Sequence, residues 1–334
     1  MGRTTHVAQA TRRMTQYLRS TLCPALGISD EIERVVWPTR GIKSNLLLVH
    51  PGASPPFVLR WFQRPAQAAR LGDLTRYAQS LQLPTPRVLY SECSRPHVRR
   101  HGFSVVVEEL IAGEHLEPGQ LTAGRLDALG QSLARLHAVE SERWGPPGDP
   151  ENGEFFRAHV EAKFKNRLHG IMKRDGAFEK EWKRQILDFV RGFRRSWDGG
   201  PPYALTHDKI NPGNVIFMPQ DEAKLLDLAM LRFGTPGADI AAALYYFCAG
   251  DEEERRFKEA YFSRLPPRWR DHFECFEPLY RAWLHLSRWA SKSRDHDKRQ
   301  GKRPPAKPGR VASHHQERDA MFAWIERVGG RSKA

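Results

Sequence analysis

Residues Leu205 to Leu244 read LTHDKINPGNVIFMPQDEAKLLDLAMLRFGTPGADIAAAL. A short apolar entry, Ala204 and Leu205, leads into a polar loop closed by Asn211-Pro212-Gly213-Asn214, and the apolar run from Val215 to Met218 predicts a strand. A turn at Pro219-Gln220-Asp221 precedes a second predicted strand, Leu225 to Leu228. A Gly/Pro loop then delivers Asp239 to the start of an apolar helix. Asn214 and Asp227 therefore stand at the edges of one small hairpin. An amide oxygen and a carboxylate brought to one point form a hard oxygen site, of the kind Mg²⁺ accepts while keeping waters and phosphates as its other ligands.

The stretch resembles the catalytic core of the aminoglycoside phosphotransferase and choline kinase-like family, distant relatives of protein kinases. In that family a loop of the form HxDxxxxN precedes a strand pair carrying the metal-binding Asp, and a structural Asp opens the next helix. His207, Asn214, Asp227 and Asp239 fall on this pattern, with Pro212-Gly213 between the first two. The resemblance implies Asn214 and Asp227 as metal ligands, and His207 and Asp239 in structural roles. One position departs from it. Five residues before Asn214, where the family has its catalytic Asp, this chain has Lys209, and the nearest carboxylate is Asp208. A one-residue shift of the loop would bring Asp208 in as the base; without a shift, Lys209 points at the reacting phosphate and Asp208 points away.

The segments upstream fit the small lobe of the same fold. Ile32 to Trp37, Leu46 to His50 and Phe57 to Trp61 predict an antiparallel meander, separated by Gly- and Pro-rich turns. A helix over Ala66 to Leu81 and strands near Val88 to Tyr90 and Phe103 to Leu110 complete it. The turn Gly41-Ile42-Lys43-Ser44-Asn45 resembles the family's phosphate-covering loop, which places Gly41, Ser44 and Asn45 on the nucleotide, although an ordinary hairpin turn reads the same way. Arg60 stands where the family has a Lys that pairs with the α and β phosphates, and Asp73 is the only acid in the following helix that could partner it. Judged by itself, Arg60 is equally an Arg on a strand's solvent face. Glu108-Glu109-Leu110 resembles the hinge whose backbone meets the adenine edge, which makes Glu108 and Leu110 cofactor-binding positions.

The resemblance thus implies an α+β, two-lobed protein kinase-like fold. The expected organisation is an N-terminal helical segment over 1–31, a small lobe over 32–112, a helical lobe over 113–290, a basic disordered segment over 291–313, and a C-terminal helix and tail over 314–334. In the large lobe, Leu126, Leu129, Leu133 and Leu136 form one apolar stripe, and the resemblance makes His137 structural. Helices are predicted over Glu154 to Met172 and Ala177 to Trp197. Their Lys163, Lys165, Arg167, Lys173 and Arg174 suit either an anionic acceptor or a solvated face.

The chain carries 53 Lys and Arg against 39 Asp and Glu, a net +14. The segment Lys292 to Arg310 contributes eight basic and two acidic residues, so the excess is not confined to it. Such a surface favours anionic partners and leaves contact with a membrane surface open through its basic patches. It argues against a polycationic aminoglycoside, whose site should be lined with carboxylates. No apolar run approaches a membrane span. The N-terminus MGRTTHVAQATRRM lacks the apolar core of a signal peptide, so a cytoplasmic location is expected. Cys23, Cys93, Cys248 and Cys275 are scattered without a CxxC pair, the pattern of reduced thiols.

The function the resemblance implies is an ATP-dependent phosphotransferase that uses Mg²⁺ to move a γ-phosphoryl onto a hydroxyl of a small molecule. Two alternatives stay open from the sequence. One is a nucleotide-binding pseudokinase, because of Lys209. The other is a nucleic-acid-binding or interaction protein working through its basic segment, which has no aromatic residues between Ser291 and Ser313 on which bases would stack.

Overall fold

In the computed structural model, residues 14–29, 31–37, 45–173, 180–197, 202–300 and 309–331 are described, with side chains of 292–315 and 329–331 outside that description. The chain divides into two compact units. One comprises Met1–His115 with Pro212–Ala229, the other Leu116–Asn211 with Met230–Ala334.

The first unit is built on a five-stranded antiparallel sheet of order β1-β2-β3-β5-β4: Ile32–Val36, Leu46–Pro51, Phe57–Phe62, Ser104–Glu109 and, at the edge, β4 Val88–Glu92. Alternation along the strands divides its two faces. Leu47, Val49, Phe57, Leu59, Val105 and Val107 point one way and are closed over by Met14, Tyr17, Leu18 and Leu22 of the N-terminal segment, which includes a π-helical turn at Leu18–Leu22. On the other face, helix α1 (Pro65–Ser80) seats Ala68 and Leu71 against Val106. A short helix α2 (Arg95–His101), capped by Ser94 and ended by left-handed Gly102, lies between β4 and β5. Three strands, a helix and two more strands are thus present in the expected order. Met14, Tyr17, Leu18 and Leu22 thus belong to this unit's core and do not form a separate piece.

The hairpin 212–229 also belongs to the first unit, although by sequence order it falls inside the stretch expected to form the helical lobe. Its strands are β8 (Val215–Phe217) and β9 (Ala223–Leu225), paired with Val215 opposite Leu225. The second strand ends earlier than the apolar pattern predicts, because Asp227 turns left-handed at φ 62° and extended pairing cannot continue through it. The amide of Leu225 donates to Pro84 O, and those of Glu114 and Phe217 donate to each other's carbonyls. Gly113 is required here: a Cβ on it would lie 2.5 Å from Phe217 O.

The second unit is mostly helical. Its helices are α3 (Ala123–His137), α4 (Ala162–Met172, preceded by a π-helical stretch Phe156–Glu161), α5 (Lys180–Gly192), α6 (Gly237–Phe247), α7 (Asp251–Phe262), α8 (Pro267–Gln300) and α9 (Gly309–Arg331). A small sheet of order β10-β7-β6 (Arg232–Gly234, Tyr203–Thr206, Glu140–Ser141) accompanies them. The sequence pattern gives no warning of β6 or β10, which are too short to show a period. The described parts of the 291–313 segment differ from expectation. α8 runs on to Gln300 and α9 starts at Gly309, leaving only 301–308 outside the described residues. Its Lys, Arg and Gln lose little entropy in a helix, and the first Gly and Pro come after Gln300. Among the described residues no helix is long and apolar enough to cross a membrane, and all four cysteines are free.

Candidate active site

In the second unit the loop beginning at His207 is held by one carboxylate. Asp239 is 1% exposed at the start of α6. Its Oδ2 accepts from the His207 backbone N–H at 2.6 Å and its Oδ1 from the Asp208 N–H at 2.9 Å. The fully buried His137 stands 3.3 Å from Oδ2 through Nε2 and 2.7 Å from the Tyr261 hydroxyl through Nδ1. The buried carboxylate thus fixes two consecutive amides, and His137 stands between it and the Tyr261 hydroxyl.

This anchorage bears on the loop departure. Asp208 takes a left-handed backbone, φ 63°, a conformation short polar Asp tolerates better than most residues. Its carboxylate meets the ammonium of Lys163, at 2.8 Å to Oδ2 and 3.1 Å to Oδ1. Burial raises its pKa, but the charge and hydrogen bonds of Lys163 outweigh that and hold the carboxyl below its ordinary value. Lys209 is exposed, and its carbonyl accepts from the Asn211 side-chain amide at 2.9 Å. Lys163 was legible in the sequence only as a basic residue on an amphipathic helix. Of the five basic residues in that stretch, Lys163 and Lys165 are paired with Asp208 and Glu161, and Arg174 lies outside the described residues.

In the first unit, Asn214 and Asp227 sit at the same end of the hairpin. The Leu226 N–H donates to Asn214 O at 2.8 Å, one step beyond the Val215–Leu225 pair, so Asp227 follows directly on the residue bonded to Asn214. Asn214 is buried and Asp227 partly exposed. The His115 ring nitrogen Nδ1 lies 2.9 Å from Pro212 O and 2.8 Å from Val215 O, bracketing the Asn214 turn. Among the described residues no group of three or more His, Cys, Asp or Glu could hold a metal. One amide and one carboxylate fit Mg²⁺ better than metals that need a full protein cage, because it dehydrates reluctantly and completes its shell with water and phosphate.

Arg60 is neither solvent-facing nor paired with Asp73. Its Nε donates to Glu108 Oε2 at 2.7 Å, with side-chain exposures of 12% and 3%. Both lie on the sheet face that carries Val106, two positions removed in the β3–β5 register. Asp73 instead pairs with Arg76 on its own helix. The carboxylate partner comes not from the following helix but from a cross-strand diagonal, 48 positions away in sequence. Glu108 in turn has a role through its side chain, as the anchor of Arg60. Leu110 follows the last strand, its N–H 3.4 Å from Pro56 O. Asn45 is exposed and its carbonyl accepts from Trp61 N–H. Gly41 and Ser44 lie outside the described residues.

A family model described as a phosphotransferase enzyme family, APH, matches residues 41–272. The structure is similar to a thermostable mutant of the aminoglycoside phosphotransferase APH(4)-Ia in ternary complex with ADP and hygromycin B, at 14% identity and a TM-score of 0.63, over 93% of this chain and 98% of the other. It is also similar to choline kinase LicA from Streptococcus pneumoniae, at 14% identity and 0.58 over 93% and 99%. A third is macrolide 2'-phosphotransferase MphH from Brachybacterium faecium, at 16% identity and 0.54 over 86% and 98%. At these identities the structures speak for the fold alone. No curated protein matches the sequence. With the family model covering more than half of its length, the chain belongs to the APH phosphotransferase enzyme family, with its protein kinase-like fold and ATP-dependent transfer of a phosphoryl group to a hydroxyl-bearing acceptor.

Proposed function

We propose that this chain moves the γ-phosphoryl of Mg-ATP to a hydroxyl of a small, sugar-like or amphipathic alcohol, and that Asn214 and Asp227 are its magnesium ligands. The observation that carries the reading is the hairpin register, which sets an amide and a carboxylate at one end of β8 and β9. Asn214 and Asp227 would hold the magnesium, which would supply positive charge against the nucleotide phosphates. Arg60, held by Glu108, supplies the cation for the nucleotide phosphates, and its planar fork takes the part a lysine plays in the family. Asp239 positions the loop through the amides of His207 and Asp208.

Lys209 stands where a carboxylate base is expected, and Asp208 is engaged by Lys163. A protonated lysine does not accept the acceptor's proton. It stabilises charge on the transferring group, and a loose transition state asks little of a base. The acceptor hydroxyl's proton then leaves to solvent or to the phosphate itself.

The test is incubation with Mg-ATP and a panel of polyols and amphipathic alcohols, followed by phosphorus NMR. A new phosphomonoester signal, absent with Asp227→Ala, supports the assignment. ATP that raises the melting temperature yet is never consumed, with turnover gained by Lys209→Asp, would instead identify a nucleotide-holding protein without transfer.

A further inference from the structure

Beside the start of the catalytic loop, within the second unit, lies a partly open pocket of about 410 Å³, a volume that takes in its solvent-filled mouth. Its walls are mainly apolar, with Val160, Phe164, Leu279 and Trp283 among them. Four ionisable side chains line it as well: His159, Lys163, Asp208 and Tyr280, whose phenol burial keeps protonated. Asp208 is the residue immediately before Lys209, so the pocket adjoins the position to which the reacting group is assigned.

The charges inside cancel. Lys163 and Asp208 neutralise one another. Burial, reinforced by the positive charges of Lys163 and Arg232, lowers the pKa of His159 to about 3, so its ring is uncharged at neutral pH. That ring stacks on Phe155 at 4.8 Å, and the Lys163 ammonium stands 5.5 Å from the Trp283 ring centre. A polycation finds a single carboxylate already paired, and an anion finds a single ammonium already paired. The pair nevertheless keeps hydrogen-bonding capacity, because an ammonium has three hydrogens and Lys163 directs two contacts at Asp208. One ligand hydroxyl can accept from Lys163 and donate to Asp208.

We propose that this pocket seats the body of the acceptor, and that the acceptor is an uncharged alcohol carrying a ring or compact hydrocarbon group, with one hydroxyl set against the Lys163–Asp208 pair. The assignment rests on the phosphotransferase reading for the word acceptor, and on the pocket alone for the ligand class. It replaces the anionic acceptor suggested by the net charge of the chain. The acceptor-selecting residues are accordingly Lys163, Asp208 and Trp283.

Saturation-transfer NMR with cyclohexylmethanol as the probe tests it, with kanamycin and glucose 6-phosphate as charged competitors. The expected result is binding at about 1–10 mM, as suits a fragment of this size, weakened about tenfold or more by Ala238→Leu, which fills the pocket, and unmoved by either competitor. Trp283→Ala, which removes a wall instead of adding bulk, is expected to weaken binding as well, and serves if the leucine variant does not fold. No binding to the wild-type chain, equal binding to the folded variants, or displacement by kanamycin or glucose 6-phosphate overturns the proposal. The phosphotransferase reading fails separately, by absence of any Mg-ATP effect on melting temperature, since the fragment titration contains no nucleotide.

Discussion

Arg60 and Glu108 form a largely buried cross-strand ion pair, Nε to Oε2 at 2.7 Å, on the face of the small-unit sheet covered by α1. Removing one partner strands the other charge in a desolvated place. Arg60→Met should therefore cost about 3–5 kcal/mol in urea unfolding, and Arg60→Met combined with Glu108→Leu should recover most of it. Arg60→Lys keeps the charge but loses the fork, and should weaken ATP binding about tenfold. Unfolding curves that superimpose for wild type and Arg60→Met would show the pair to be ornamental.

Asp239 satisfies two backbone amides and faces His137. In Asp239→Ala those buried donors lose their acceptor at about 1–3 kcal/mol each, and the loop from His207 loses its anchor. Stability by thermal melting should fall by about 2–6 kcal/mol, with turnover lost even in the fraction that remains folded by circular dichroism. Asp239→Asn, which keeps one acceptor oxygen, should fall between the two.

Which parts were legible beforehand follows from the reach of each signal. The strands β1 to β5 announced themselves by alternation and turn chemistry, and the family pattern located His207, Asn214, Asp227 and Asp239 by spacing alone. What stayed hidden depends on contacts between residues far apart in sequence. Glu108 meets Arg60 across 48 positions and Asp208 meets Lys163 across 45, and no local pattern encodes such partners. The unit boundary is hidden for the same reason, because the hairpin 212–229 is continuous in sequence with the loop before it but bonds to Pro84, Glu114 and His115. The extent of α8 is not legible because a charge-dense stretch reads as disordered, whereas the helix propensity of its Lys, Arg and Gln prevails.

The pH dependence of stability should be set largely by two histidines. Burial lowers His159 to about 3 and His272 to about 4, both below the ordinary 6.5. Each is neutral when folded and takes up a proton when unfolded, so its contribution is fully present above pH 6.5 and is lost as pH falls toward the folded value. Between pH 7 and pH 5 the loss should reach about 2 kcal/mol for each. His159→Phe should flatten the pH profile of denaturant unfolding in this window; an unchanged slope would mean that His159 is not desolvated.

Lys209 is assigned to charge stabilisation. Lys209→Ala should lower kcat about 10²-fold, within the range for removing one electrostatic stabiliser, with the KM for ATP changed by no more than about twofold. A KM that rises while kcat holds would make Lys209 a nucleotide-binding residue instead.

Calorimetric titration of ATP, with magnesium and with excess chelator, into the wild-type chain and Asp227→Ala tests the magnesium-nucleotide assignment most directly. Magnesium-dependent binding to the wild type, weakened about tenfold or more by the substitution, is the predicted result. Equal binding by the two proteins, or binding by neither, would contradict it.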